Sequence, residues 1–340
     1  MKKIFMLITS VVGIFIISGC SNKDDKEKLN VVATIFPYYD IVSEVAKDSD
    51  NIELELLIDS GADLHSYQAT SDDIISINNA DVIVLNGGPS DKWILDAIKN
   101  SNNKDVIVVN TMEELDELVL EEEHVEGMEE HDHDHEHEHN HDHEDEHNHD
   151  HEDEHNHDHE DEHHEDEHFW LSIKNMKIVT KAIEEALVEA DEKSKDKYIL
   201  NGKNYLAKLD ELDNELENII DKSNLKTILV GDRFPFRYLV NDYDLEYYAA
   251  FPGCSGETEA SFKTIIYLAK KLDENKLDSV LILDGSDGSV AKTIIESSND
   301  KTRSIKVLNS MQSLGKKDIN KVSYVSIMKE NINVLKDVLK

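Results

Sequence analysis

The sequence predicts an α/β protein of two similar lobes, each a parallel four-stranded sheet, joined by a long spine helix that leaves a cleft between them. Three observations carry that expectation. Short β-branched apolar runs alternate with helical stretches over the first 120 positions, the same alternation returns after residue 223, and two nearly continuous helical segments lie between. Apolar runs separated by helices imply parallel strands covered on both faces.

Taken in order, the chain opens with Lys2 and Lys3, an apolar run Ile4–Ile17, and Ser18-Gly19-Cys20. That run is too short to span a bilayer comfortably, and the small residues mark a cleavage site, so residues 1–19 read as a signal peptide. Ile17-Ser18-Gly19-Cys20 also resembles a bacterial lipobox, which implies a mature chain that begins at Cys20 with a lipid attached there. Residues 20–28 would then be a polar tether. Cys254 is the other of the two cysteines, so acylation of Cys20 leaves no internal disulfide.

The first lobe, residues 29–120, holds strand signals at 29–36, 51–58, 80–86 and 105–110. Helices are expected from Pro37 to Lys47, near 72–79, and up to about Lys99. Residues 168–222 are helical. Ser172 to Ala190 repeats apolar residues at 173, 176, 179, 183 and 187, and Lys195 to Lys222 carries Leu206, Leu209, Leu212, Leu216 and Ile219 in three-and-four spacing. The second of these would be roughly 40 Å long, enough to serve as the spine. In the second lobe, residues 223–340, strands are expected at 226–232, 245–251, 278–284 and 304–309, with helices near 234–241, 258–272, 288–298 and 318–339.

Between first lobe and helical region lies a stretch of different composition. Glu121 to His168 holds 17 of the 18 histidines and 25 carboxylates with no Lys or Arg, and HNHDHEDE repeats three times between 139 and 162. A run so poor in aliphatic side chains cannot offset chain entropy by burial, so residues 121–167 are expected to be a solvated, disordered loop. A purely solubilising spacer accounts for the acids but not for the regular imidazoles. Neutral imidazole is a common ligand for first-row metals, and His131, His133, His135, His137, His139, His141, His143, His147, His149, His151, His155, His157, His159, His163 and His164 read as a low-affinity metal loop.

The formal charge of −39 belongs largely to that stretch. Without it, 35 basic side chains face 49 acidic ones, a net −14. An acidic surface of this kind argues against nucleic acid as a partner.

In open α/β sheets ligands bind at the carboxyl ends of the strands. His65 follows the second strand and is the one histidine outside the tract, and His168 ends the tract. Asp232 follows the first strand of the second lobe; Asp284 and Asp287 follow its third. Two imidazoles and one or two carboxylates suit Zn²⁺, or Mn²⁺ where oxygens dominate. Plainer readings stand beside this one. A lone loop histidine is commonly a surface residue, His168 is the last of its tract, Asp232 could cap a helix from Phe234, and Asp284 and Asp287 fit turn formation in DGSDG.

These residues resemble a family, the metal-binding solute receptors of bacterial ABC importers that include zinc-uptake and manganese-uptake lipoproteins. ATIFPYYDIV (33–42), GADLHSYQATSDD (61–73), an acidic His-rich insertion, HFWLS (168–172) and a spine helix follow in the family's order. The resemblance covers essentially all of residues 30–340 and implies two lobes bridged by a helix, with a metal in the interlobe cleft. His65 and His168 match the family's first two ligands. The second lobe departs from the pattern: where the family places His or Glu three residues before an aromatic, GDRFPFRYL (231–239) has Arg233. Arginine cannot ligate a cation, so the role is moved to Asp232. The family's last carboxylate falls in the DGSDG turn, where Asp287 is the better match and Asp284 stands behind it. FPGCSGETEAS (251–261) resembles the family's glutamate-containing loop, which includes Glu259, and carries Cys254. A thiolate there would be an excellent zinc ligand; a small buried cysteine is the plainer reading.

The resemblance implies a monomeric, non-enzymatic, lipid-anchored receptor on the outer face of the membrane. It would capture Zn²⁺ and hand it to an ABC permease and its ATPase. A manganese receptor of the same kind is one alternative, and a surface adhesin or metal-scavenging lipoprotein is another. The composition of the tract favours zinc, and an Asp-rich cleft pulls toward manganese. A zinc hydrolase would need a local motif such as HExxH, of which HEDEHH (159–164) is only a degenerate version.

Overall fold

The computed structural model describes residues 28–128, 165–256 and 259–340. The signal peptide, Cys20, nearly all of the tether, residues 129–164 of the loop expected over 121–167 and the expected helix start at Thr258 lie outside the described residues. The described ends of that loop are not disordered, because Glu121 bridges to Glu165 and the carboxylates of Asp166 and Glu167 are buried against the histidines they hold. Among the described residues, no helix is long and apolar enough to cross a membrane.

The first lobe contains β1 (Leu29–Ala33), α1 (Phe36–Val45), β2 (Ile52–Leu56), α2 (Ser71–Asn79), β3 (Val82–Leu85), α3 (Lys92–Asn100), β4 (Ile107–Asn110) and α4 (Thr111–Leu115). Then come α5 (Ile173–Ala190) and α6 (Lys195–Lys222). The second lobe follows with β5 (Thr227–Phe234), α7 (Arg237–Asp242), β6 (Glu246–Pro252), α8 (Phe262–Glu274), β7 (Ser279–Leu283), α9 (Ser289–Ser297), β8 (Ser304–Leu308) and α10 (Tyr324–Val338).

Both sheets are parallel and four-stranded, in the orders β2-β1-β3-β4 and β6-β5-β7-β8. Each order reverses beside its first strand, which opens a crevice at the carboxyl ends where loops diverge to either side. Val82 to Leu85 of β3 are all buried, as a strand covered on both faces requires.

The spine is α6, 28 residues long and so about 42 Å at 1.5 Å per residue. Tyr198, Tyr205, Leu209, Leu212, Leu216 and Ile220 form its buried stripe. Toward its start Asn201 donates to the carbonyls of Val45 and Lys47 in the first lobe, while at its far end Lys329 of α10 pairs with Glu215. The buried stripe joins one apolar cluster that includes Val31 and Val84 of the first sheet and Val230 and Leu281 of the second. The spine therefore shares a core with both lobes.

Two boundaries differ from the sequence expectation for identifiable reasons. Strand β5 continues to Phe234 across a register shift between Val230 and Arg233, because Pro235 keeps the residue before it extended. Helix α10 begins at Tyr324, where Ser323 and Ser326 form a reciprocal cap, so 318–323 remain turn.

Candidate metal centre

His65 sits in a single 3₁₀ turn, Leu64–Ser66, in the loop after β2, and the Asp63 carboxylate caps that turn by accepting the His65 N–H at 3.0 Å. His168 is fully buried and precedes a second 3₁₀ turn, Phe169–Leu171. Trp170 fixes this turn against the second lobe, donating from Nε1 to the Ser310 carbonyl at 2.9 Å and packing its ring edge-on to His168.

Each imidazole is oriented by a carboxylate. Nδ1 of His168 lies 2.9 Å from Asp166 Oδ1, and Nδ1 of His65 lies 3.1 Å from Glu167 Oε2. A carboxylate at Nδ1 takes the ring proton there and leaves Nε2 as a bare lone pair. Those two Nε2 atoms face each other at 3.1 Å. Glu167 is itself held by the backbone and side chain of Ser90, in the loop after β3. Gly88 makes room for it, since a Cβ there would stand 2.1 Å from Glu167 Oε1.

Burial presses the His65 imidazolium pKa down, but the Glu167 carboxylate and Asp63 outweigh it and the pKa is raised. Burial likewise disfavours the Glu167 carboxylate, yet His65 and Ser90 hold its pKa below the usual carboxylate range.

The third donor comes from the second lobe. Cys254, in the loop after β6, places Sγ so that it and one ring nitrogen from each of His65 and His168 all lie within 4.8 Å of one another. Gly253 allows that approach, because a Cβ there would stand 2.9 Å from the Phe234 carbonyl and 3.0 Å from His168 Cε1. Burial, then the negative charges of Glu122, Asp166 and Glu167, raise the thiol pKa. Two imidazole nitrogens and one sulfur are a donor set for a borderline-soft cation.

The carboxylates expected from the second lobe are occupied elsewhere. Asp232 accepts the N–H of Arg233 at 2.9 Å and that of Leu283 at 3.3 Å, tying β5 to β7 at the bulge. It caps no helix either, because the strand runs past it. Asp287 accepts the N–H of Ser289 at 2.8 Å and so opens α9. Asp284 holds the loop after β8 through the N–H and hydroxyl of Ser310. Glu259 is exposed in the loop before α8. None of these four belongs to the donor group among the described residues.

Arg233 and Gln312 stand instead at the edge of the donor group. Nε2 of Gln312 is 3.2 Å from Nε2 of His168, and its Oε1 is buried without a hydrogen-bond partner. Arg233 pairs with Asp63 across the cleft at 3.1 Å. Sequence reasoning missed Gln312, which has no motif around it, and the orienting pair Asp166 and Glu167, which are indistinguishable by composition from the other acids of the tract.

Two parallel-sheet lobes on a common spine, with two imidazoles from one side and a thiol from the other meeting in the gap, define a metal-binding solute receptor. The chain belongs to the family described as zinc-uptake complex component A, periplasmic (ZnuA), which matches residues 31–338. It is 29% identical over 332 residues to the high-affinity zinc uptake system protein ZnuA of Bacillus subtilis (strain 168), covering 95% of this chain and 94% of that one. The zinc-binding lipoprotein AdcA of Streptococcus pneumoniae is 28% identical over 338 residues, spanning 99% of this chain but 61% of AdcA. The iron ABC transporter substrate-binding lipoprotein MtsA of Streptococcus pyogenes is 26% identical over 350 residues, 99% of each chain. Among solved structures, the metal-dependent lipoprotein YcdH of Bacillus subtilis superposes with a TM-score of 0.70 at 25% identity, over 92% of this chain and 99% of that one. The family is one of extracytoplasmic receptors for ABC importers.

Proposed function

We propose that this receptor captures Zn²⁺ between His65, His168 and Cys254 and delivers it to an ABC permease and ATPase, from a position on the membrane surface secured by lipid on Cys20. The observation that carries the choice of ion is the thiol. Manganese is served by carboxylate and water ligands, whereas zinc accepts imidazole and thiolate together. Relatives named for zinc support the reading, while MtsA, named for iron, favours a second one in which an iron or manganese ion is the cargo. The His-rich run supplies a low-affinity reservoir, since closely spaced imidazoles and carboxylates raise the local cation concentration.

The test is competition of the mature chain against a chromophoric zinc chelator. His65→Ala should weaken the tightest site by about two orders of magnitude, roughly 3 kcal/mol, whereas deletion of 129–164 should leave that site in place. Tight binding that survives His65→Ala and disappears with the deletion would move the cargo site to the tract.

A further inference from the structure

One carboxylate stands at the centre without joining the donor group. Asp63 Oδ1 accepts the His65 N–H at 3.0 Å and lies 3.5 Å from Nε2 of Gln312, which in turn is 3.2 Å from Nε2 of His168. A single amide group therefore separates this carboxylate from a ring nitrogen of the site. Its other oxygen is taken by Arg233 Nη1 at 3.1 Å, and the same nitrogen reaches the Ser255 carbonyl at 3.4 Å, one residue beyond Cys254. Asp63 comes from the first lobe and Arg233 from the second, so the pair closes across the cleft. Both side chains are largely sheltered, with 19% and 27% of their surface exposed, so solvent screens the pair less than it would a surface pair.

We propose that Arg233 is the specificity-determining residue of this receptor: by occupying Asp63 it keeps a carboxylate oxygen out of the coordination sphere and biases the site against manganese. The proposal rests on the reading of His65, His168 and Cys254 as the cation site. Free of its partner, Asp63 could turn a hard, anionic oxygen toward the ion, and that oxygen improves a site for Mn²⁺ more than for Zn²⁺, which the nitrogens and sulfur already satisfy. The guanidinium is a planar fork of donors matched to a carboxylate, and it cannot itself ligate a cation. Its positive charge also repels any dication, but that repulsion is the same for both metals. Removal of Arg233 should therefore strengthen binding of both ions, and only the release of Asp63 should change the ratio between them.

The deciding quantity is the ratio of the two affinities in the full mature chain, with zinc followed by chelator competition and manganese by loss of the free-ion EPR signal. Arg233→Met removes the charge and retains the side-chain bulk, and Arg233→Gln serves if the first variant does not fold. The expected result is a shift of about tenfold toward manganese, restored to within about threefold of the wild-type ratio when Asp63→Asn is added. Tighter binding of both ions with the ratio unchanged, or a shift that persists in the double variant, overturns the assignment. Failure of the site reading gives a different signature: wild-type zinc affinity would be unchanged in His65→Ala.

Discussion

Nε2 of His65 and Nε2 of His168 point at each other from 3.1 Å while the opposite nitrogen of each ring is held by a carboxylate. With both protons drawn to the Nδ1 side, the two Nε2 lone pairs face one another, and the Gln312 amide at 3.2 Å from His168 is the neighbouring donor to them. The same carboxylates fix the ring planes, so both rings present Nε2 toward a common point.

Glu167→Gln should therefore weaken zinc binding by roughly 10- to 100-fold without altering the ligand atoms themselves. An amide cannot accept from His65 Nδ1 and from Ser90 with the strength of the carboxylate, and the ring loses its fixed orientation. Chelator competition on a variant with unchanged circular dichroism is the check. Wild-type affinity in that variant would mean that the packing of the ring, not Glu167, orients His65.

Cys254 predicts proton release. Burial and the neighbouring Glu122 hold its thiol pKa above the ordinary value, so the metal-free thiol is neutral at pH 7. A coordinated cysteine is a thiolate, so zinc must displace that proton, and affinity should fall as pH falls. Calorimetry in buffers of different ionisation enthalpy should find about one proton fewer released by Cys254→Ser than by wild type. Equal release from the two proteins would remove Cys254 from the coordination sphere.

Gly253→Ala tests how closely the two lobes must approach. The added Cβ would meet the Phe234 carbonyl at 2.9 Å, a backbone atom with little freedom to yield, and His168 Cε1 at 3.0 Å. The loop carrying Cys254 should shift outward, with a stability loss of about 1–3 kcal/mol, typical of overpacking. Zinc affinity should drop with it. Thermal unfolding of the metal-free protein together with chelator competition reads both effects, and wild-type values in both would show that the loop has slack.

Much of this architecture is legible in the sequence because it rests on periodic signals. The spine runs from Lys195 to Lys222, as its apolar spacing from Leu206 to Ile219 and the helical stretch around it predict, and His65 stands out as the lone imidazole outside the tract. What the sequence does not carry is the destination of each carboxylate. Asp287 lies in the loop after β7 as expected, whereas Asp232 falls inside β5 at its bulge rather than at its end. Backbone N–H groups of Ser289 and Leu283 occupy the two carboxylates, and such contacts depend on a helix start and a bulge that no short motif encodes. Gln312 comes from the loop after β8, which Asp284 holds through Ser310, whose hydroxyl in turn accepts the Gln312 N–H.

Asp40 makes the last prediction, and it concerns the junction of the lobes rather than the metal. Its Oδ2 accepts the Tyr324 N–H of α10 at 3.0 Å and the Tyr205 hydroxyl of the spine at 3.2 Å, so one carboxylate of α1 touches the spine and the second lobe's last helix. Burial pushes its pKa up to about 6, against the opposing pull of those two hydrogen bonds. The folded pKa lies above the unfolded value of about 3.9, so its contribution to stability is fully present below pH 4 and is lost as pH rises through 6. Asn keeps an acceptor oxygen for both partners and has no charge to desolvate. The stability of Asp40→Asn relative to wild type should thus improve between pH 4 and pH 8 by about 1–3 kcal/mol, the order set by a shift of two pH units. Other titrating groups cancel in that difference. Urea unfolding of both proteins at the two pH values measures it, and a difference that is flat with pH would mean that Asp40 ionises in the folded protein without penalty.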